Sequence, residues 1–295
     1  MNRQFILSCG STVDMPYAYM QEREIPVIFY TYTVDDEVCI DNMGRDADAL
    51  PNFYRQQAEN KRISTSQLNE QTYIEFFENL LQQGDVLHIA FGSGMSASVN
   101  NAFSAAKKLN EKYSDRSVRV IDSLCSSSGY GLLVDYAADM RDRGCSLNET
   151  AEWVEAHTNK VHHQFFSTDL THFRRSGRMS GAAASIATIL NICPLMRLNH
   201  EGKIIAYDKV RGKKNVIRET VRTIEEHIAD GTDYSGKLVI SHSCCPEDAE
   251  ILKNILSEKF PNVDGGIRIF DIGTIIAAHC GPGTVAAFFL GDERV

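Results

Sequence analysis

Apolar and polar positions alternate with two different periods along the first half of the chain. The segment from Asn69 to Leu81 carries its apolar residues at helical spacing, on positions 73, 76, 77, 80 and 81, which predicts an amphipathic helix. Further helices are predicted over residues 95–109 and 127–143. Unbroken apolar runs predict strands over residues 5–8, 25–34, 85–91 and 117–123. Strands buried on both faces give such runs, and their alternation with helices is typical of a parallel, doubly wound sheet.

The pattern changes after about residue 160. Two apolar runs separated by a turn with Asn199 and Gly202 predict a hairpin over residues 194–207. Other strands are predicted over 164–168, 237–241, 267–270 and 284–290, and helices over 182–190, 215–228 and 246–260. We therefore predict two domains, an N-terminal α/β domain over residues 1–160 and a C-terminal mixed α+β domain over residues 161–295.

Composition and charge narrow the functional classes. The chain has 295 residues, of which 43% are apolar and 23% charged, a globular balance. Its net charge of −9 disfavours nucleic-acid binding, including a DNA-linked regulator, because an acidic surface repels phosphate backbones. No run approaches the roughly 20 apolar residues that span a bilayer, so we expect no membrane insertion. The first residues lack the apolar core of a signal peptide, which favours a cytoplasmic protein.

Cysteine and histidine spacing gives no indication of a metal site. The eight cysteines include no C-x-x-C pair, and we expect them to be small buried residues without metal or disulfide roles. His162 and His163 are adjacent, and neither H-x-x-x-H nor H-E-x-x-H occurs. The sequence therefore predicts no metal ligands and no cofactor.

Hydroxyl-rich segments follow several of the predicted strands. They lie at residues 9–12, 64–67, 92–98 and 122–129. Ligands of parallel sheets bind beyond the carboxyl ends of the strands, so converging hydroxyls and helix-end amides would form an anion site. The alternative is that these residues only cap helices, as Ser and Thr commonly do.

Two enzymatic interpretations use the same segments. Gly92 to Ala97 fits a dinucleotide fingerprint, but it comes late in the chain and its nearest acid, Asp122, lies about 25 residues further on. A serine hydrolase would need a base such as His279, and the G-x-S-x-G motif is absent. The second half adds basic clusters at residues 174–178 and 209–214, which are either solvated turns or contacts for an anion or a partner.

Seven short motifs occur together in one order. They are the Ser-Thr turn at 11–12 followed by Asp14-Met-Pro, Thr65-Ser-Gln, Ser93-Gly-Met-Ser, Asp122-Ser, Ser176-Gly-Arg-Met-Ser, Lys209-Val-Arg-Gly-Lys-Lys and His279-Cys-Gly-Pro-Gly. In this order, and over nearly the whole chain, they resemble the DegV family of bacterial fatty-acid-binding proteins. The resemblance implies a two-domain α/β carrier with its ligand cleft between the domains.

The same resemblance implies a function. Such carriers hold one long-chain fatty acid, palmitate or similar, in a closed tunnel, with the carboxylate near the domain interface. They present that carboxylate to a fatty-acid kinase, which phosphorylates it to acyl phosphate. The carrier itself would then be no enzyme. The alternative is a Ser/His hydrolase or a nucleotide-dependent enzyme that uses the same cleft.

The motif positions also imply a set of binding residues. Thr65 matches the threonine that binds the carboxylate, and Ser96 is similar to its partner, with Ser93 as the nearby alternative. His279 and Arg211 match motif positions that we expect around the carboxylate or its phosphorylated form.

A contact with the kinase is implied as well. Arg178 resembles a surface arginine that docks this partner. The chain departs from the usual motifs at Cys9-Gly10, where Thr-Asp is common, at Leu68, where proline is usual, and at Ala97, where glycine is common. These departures concern the geometry around the carboxylate more than the tunnel.

Overall fold

A computed structural model describes residues 4–179 and 191–295 of the chain. The described residues form a four-stranded parallel sheet, a three-stranded antiparallel sheet and a six-stranded mixed sheet, with helices packed around them. This confirms the predicted α/β class with two unlike main sheets. The helix predicted over residues 182–190 lies outside the described residues.

The parallel sheet is built from the predicted apolar runs. Its strands are β1 (Ile6–Gly10), β2 (Val27–Ile28), β6 (Val86–Ala90) and β7 (Val118–Asp122), in the order β2-β1-β6-β7. Every residue of β6 is buried, as a strand covered on both faces requires. The helices of this half are α1 (Tyr17–Glu22), α2 (Ala49–Ala58), α3 (Glu70–Leu81), α4 (Ser98–Lys112), α5 (Ser127–Asp142) and α6 (Leu147–His157).

The periodicity that predicts α3 is confirmed in detail. The Asn69 side chain caps the helix by accepting a hydrogen bond from the Thr72 N–H at 2.9 Å. Tyr73, Phe77, Leu80 and Leu81 are buried. The apolar face of this helix therefore packs into the core as its spacing indicates.

The single strand predicted over residues 25–34 is wrong. The chain leaves the parallel sheet after β2 and joins a separate sheet, whose strands are β3 (Thr31–Val34), β4 (Glu37–Ile40) and β5 (Ile63–Thr65) in the order β4-β3-β5. Tyr30 makes the break, because its N–H donates to Ser11 Oγ and its carbonyl accepts from the Asp41 N–H. These bonds replace the ladder bonds that would continue a strand.

The six-stranded sheet comes from the second half of the chain. Its strands are β8 (Val161–Ser167), β9 (Ile192–Leu198), β10 (Ile204–Arg211), β11 (Val239–His242), β12 (Arg268–Asp271) and β13 (Thr284–Leu290), in the order β10-β9-β8-β13-β11-β12. Only the β11–β12 pair is parallel among the described pairings of this sheet. The predicted hairpin is β9 and β10. The helices here are α7 (Thr171–Ser176), α8 (Lys213–His227), α9 (Pro246–Lys259) and α10 (Thr274–Cys280).

Helix α5 joins the two main sheets. It contacts β1 on one side and β8, β11 and β13 on the other. Ser128 Oγ donates to the Asp14 carbonyl and lies 2.6 Å from Ser241 Oγ, which links the two halves of the chain through one buried hydroxyl. The main hydrophobic core likewise contains residues from both halves. Residue 160 lies between the strands of the parallel sheet and those of the six-stranded sheet. That it also divides two domains stays a prediction.

A buried ion-pair cluster crosses the same junction. The Asp135 carboxylate, on α5, contacts Arg23, Lys237 and Arg268 at 2.7, 2.7 and 2.9 Å. Burial by itself raises the pKa of Asp135, but these cations and the Tyr19 hydroxyl outweigh it and hold that pKa below its usual value. The carboxylate is therefore ionised and ties the two halves together.

Candidate functional site

Three separate elements bring a threonine, a serine and a histidine to one place. Thr65 ends β5, Ser96 lies in the turn after β6, and His279 lies near the end of α10. Thr65 Oγ1 is 2.9 Å from Nε2 of His279, although the two residues are 214 positions apart. All three line one cavity of about 80 Å³.

His279 is a neutral imidazole in this setting. Burial, and then the positive charge of Arg178, lower its pKa from 6.5 to about 4. A neutral ring donates from one nitrogen and accepts at the other. Together with the Thr65 hydroxyl it therefore offers hydrogen bonds to an anion without a permanent charge of its own.

The cavity around these residues is polar at one end. Its polar lining is Thr65, Ser66, Gln67, Ser96, Ser126, Arg178 and His279. Its remaining lining is aromatic or aliphatic, apart from one thiol: Tyr30, Phe91, Met95, Phe173, Ile204, Ile275, Ile276 and Cys280. We call the end at Thr65, Ser96 and His279 the mouth.

A second cavity of about 60 Å³ continues away from the mouth. The two share six lining residues, namely Met95, Ser126, Phe173, Ile204, Ile276 and Cys280. The residues that line only this distal cavity are mostly apolar: Ser127, His163, Phe165, Leu198, Ile272, Thr284, Ala286 and Phe288. The adjoining cavities form one channel, which leads from a polar mouth to an apolar end.

The one histidine in the distal cavity has both of its nitrogens satisfied. The Ser126 N–H donates to His163 Nε2 at 3.0 Å, and His163 Nδ1 lies 3.1 Å from the Val161 carbonyl, to which it donates. Burial lowers the pKa of His163 well below its usual value, so the ring is neutral. It therefore adds no unpaired polar group to the apolar end.

Close backbone packing closes one side of the channel. A Cβ at Gly94 would lie 2.4 Å from backbone atoms of Gly202, in the turn between β9 and β10. Only glycine allows this approach. The turn that carries Met95 and Ser96 is therefore held directly against the six-stranded sheet.

A third, open cavity of about 530 Å³ adjoins the mouth on the solvent side. It shares Thr65, Arg178 and His279 with the channel. Its basic residues are Lys61, Arg62, Arg175 and Arg178, which stand out in a chain with a net charge of −9. We call this cavity the vestibule. Lys61 and Arg62 pair with Asp35 and Asp36, so the cations that suit an anion approaching the mouth from solvent are Arg175 and Arg178.

The structure brings together four of the six residues named from the sequence. Thr65, Ser96 and His279 line the mouth, and Arg178 lies exposed beside them, where Met179 bridges to Ile204 of β10. Arg178 is thus a mouth residue as well as a surface residue.

Two of the six lie elsewhere. Ser93 is exposed, and its N–H donates to Asp122 Oδ1 at 3.0 Å. Arg211 is exposed at the end of the edge strand β10. Neither lines the channel or the vestibule, so the sequence-based role of each stays a prediction.

Three lining residues were not singled out from the sequence. Ser126, Ser66 and Gln67 line the mouth cavity, and all three belong to hydroxyl-rich segments that follow predicted strands. The hydroxyl-rich segments pointed to these residues, but the sequence does not distinguish a residue that lines a cavity from one that caps a helix.

Among the described residues, the serine and the histidine of the mouth form hydrogen bonds to other groups and not to each other. The Ser96 hydroxyl accepts from the Ser98 N–H at 3.2 Å, and the hydroxyl beside His279 belongs to Thr65. A histidine with a pKa near 4 is a weak general base at neutral pH. In the described part of the chain, no three His, Cys, Asp or Glu side chains meet at the mouth to hold a metal.

Comparison with known proteins identifies the family. The family model described as "Uncharacterised protein, DegV family" matches residues 9–292. This chain belongs to the DegV family. A DegV domain-containing protein of Clostridium perfringens is 35% identical over 294 residues, which cover 99% of each chain. The resemblance seen in the seven motifs is therefore confirmed.

Solved DegV structures share the fold. One, from Thermus thermophilus and described as a fatty-acid-binding DegV family protein, is 22% identical with a TM-score of 0.86 and covers 98% of this chain and 100% of its own. Another, from Ruminococcus gnavus and described with vaccenic acid, is 20% identical with a TM-score of 0.85 and covers 97% and 100%. Among the helices described in this DegV protein, none is long and apolar enough to cross a membrane.

Proposed function

We propose that this DegV protein binds one long-chain fatty acid. The carboxylate lies at the mouth, against Thr65, Ser96 and His279, and the acyl chain lies in the channel. The observation that carries the proposal is the continuity of a polar mouth with an apolar channel. The fatty acids in the descriptions of the solved relatives support the same ligand class.

The energetics suit such a ligand. Burial of about 14 methylenes of a sixteen-carbon acid contributes roughly 11 kcal/mol, at about 0.8 kcal/mol each. Association and ordering oppose this by several kcal/mol, which leaves strong net binding. The carboxylate must keep hydrogen-bond partners when it leaves water. If His279 Nε2–H donates to Thr65 Oγ1, the Thr65 hydroxyl donates to the carboxylate, and the Ser96 hydroxyl supplies a second donor.

We further propose that the protein presents the carboxylate to a fatty-acid kinase and performs no chemistry itself. The vestibule supports this role, because it opens the mouth to solvent through a basic surface. A phosphoryl group transferred to the carboxylate adds negative charge there, which Arg178 and Arg175 would stabilise. We therefore propose the vestibule arginines, in preference to Arg211, as the cationic contact.

Substitution of the mouth hydroxyls tests the binding mode. Thr65→Val removes a hydroxyl at nearly constant shape, and Ser96→Ala removes the second. A hydrogen bond to a charged group contributes about 1.5–3 kcal/mol, so each variant should bind palmitate roughly 10- to 150-fold more weakly. Ser93→Ala is the matched control, because Ser93 is exposed outside the channel. Unchanged affinity in both mouth variants would refute the assignment.

Arg178→Ala tests presentation to the kinase. Because Arg178 is exposed, its charge is screened, and we expect less than about a tenfold loss of fatty-acid affinity. Phosphorylation of the bound acid by the cognate kinase should fall much further. Arg218→Ala, another exposed arginine outside the vestibule, is the control. Equal kinase kinetics for the wild type and Arg178→Ala would contradict this role.

A further inference from the structure

A second polar cluster lies on the other face of β8. His163 lines the distal cavity, and the preceding residue, His162, points to the opposite side of the strand. The His162 ring stacks on Phe289 and on His227, with centroids 5.1 and 5.2 Å away. Asp292, just after β13, completes the cluster. None of these three residues lines the channel or the vestibule.

The ligating atoms of this cluster converge. His162 Nε2 is 2.9 Å from Asp292 Oδ1, and His227 Nδ1 is 3.1 Å from both oxygens of the same carboxylate. Among the residues that the structure describes, this is the one group whose His, Cys, Asp or Glu atoms all lie within 4.8 Å of one another. Ligands at the zinc distance of about 2.0–2.1 Å are separated by roughly 3.3 Å in a tetrahedral site. The three atoms are therefore close enough to share one ion, provided that the imidazole rings, now stacked 23° from parallel, rotate to aim their nitrogens at it.

The backbone fixes the cluster in advance. The Asp292 N–H donates to the His227 carbonyl at 3.1 Å, and the Gly291 N–H donates to the Lys160 carbonyl at 2.9 Å. A Cβ at Gly291 would lie 2.1 Å from the His227 carbonyl oxygen, so only glycine permits this approach. The three elements that carry the ligands are thus already in place, which lowers the ordering cost of binding.

In this structure His162 Nε2 acts as a hydrogen-bond donor. It lies 2.9 Å from both the Asp292 carbonyl oxygen and Asp292 Oδ1, and both of these oxygens only accept. Binding of a cation would therefore move the ring proton of His162 to Nδ1 and replace the hydrogen bond to the carbonyl. The Arg294 guanidinium is engaged by the carbonyls of Leu124 and Thr158.

We propose that His162, His227 and Asp292 bind a divalent transition-metal ion with the ligand preference of zinc. Two imidazole nitrogens and one carboxylate match that preference. The Asp292 side chain is 59% exposed, so water occupies the remaining coordination position. The ion would tie the segment after β13 to β8 and to the end of α8, and this site does not depend on fatty-acid binding.

Calorimetry with Zn²⁺ tests the site. The full-length protein, stripped with a chelator and kept reduced, should bind one Zn²⁺ per chain. Asp292→Asn retains a hydrogen-bond acceptor but weakens ligation, and His227→Ala removes one ligand from a partly exposed position. Each should weaken Zn²⁺ binding at least tenfold. His200→Ala and Cys244→Ser alter an exposed histidine and an exposed thiol outside the cluster, and both should bind like the wild type.

Cobalt absorption provides a second measurement. Co²⁺ bound to the wild type should give visible bands of a low-coordinate site with nitrogen and oxygen ligands, without thiolate charge-transfer absorption, and Asp292→Asn should lose them. Far-ultraviolet circular dichroism establishes that the variants are folded. The proposal is overturned if the wild type binds no Zn²⁺ at one equivalent, or if folded Asp292→Asn and His227→Ala bind it as tightly as the wild type.

Discussion

Replacement of Ala286 by leucine should shorten the space available to the acyl chain. Ala286 lies in the middle of β13, is 5% exposed and lines the distal cavity. The substitution adds three carbon atoms on the channel side of the strand. Because the cavity itself is small, about 60 Å³, part of the added volume crowds its neighbours, and a Tm measurement establishes that the variant is folded before binding is compared.

The expected effect depends on chain length. If the three added carbons displace about three methylenes, palmitate loses roughly 2.4 kcal/mol of burial, a reduction in affinity of about 60-fold. An acid three or four carbons shorter should bind nearly as it does to the wild type. Competition binding across saturated acids of 12 to 18 carbons measures this shift.

Ala58→Leu is the matched control, because Ala58 is exposed at the end of α2. It should leave the chain-length profile unchanged. Equal weakening for all chain lengths, or an unchanged profile in Ala286→Leu, would show that the acyl chain does not occupy the distal cavity.

Three further predictions concern stability. Asp135→Asn should lower the free energy of unfolding in urea by about 1.5–3 kcal/mol, because it removes the buried carboxylate shared by Arg23, Lys237 and Arg268, whereas Lys237 keeps its contact with Asp139. In the wild type this contribution should fade as the pH falls below the usual aspartate pKa near 4, since the pKa of Asp135 is lowered. The pKa of His279 is lowered from 6.5 to about 4, so the free energy of unfolding should fall by about 3 kcal/mol as the pH falls from 6.5 to 4. His279→Gln should remove this part of the pH dependence of the free energy of unfolding. Gly94→Val should lower Tm by forcing the turn away from Gly202, whereas an unchanged Tm would contradict the close packing there.

The sequence indicated the fold through local patterns. The spacing of apolar residues located α3, because its buried face follows the helical period. The apolar run of β6 indicated a strand covered on both faces. The break at Tyr30 was missed, because it depends on hydrogen bonds with Ser11 and Asp41, and no periodicity records such contacts.

The site was less accessible to pattern analysis. Thr65 and His279 are 214 positions apart, and family motifs, not periodicity, named both. Arg211 belongs to a basic cluster by sequence, but its position on an edge strand keeps it outside the channel. The cluster of His162, His227 and Asp292 was also missed. Its members span 130 residues, and only strand pairing and helix packing bring them together.

Native mass spectrometry of the purified protein tests the central proposal most directly. The account predicts one adduct per chain with the mass of a long-chain fatty acid, and release of that acid on denaturation. A protein that carries no adduct and takes up neither added palmitate nor added oleate would contradict it.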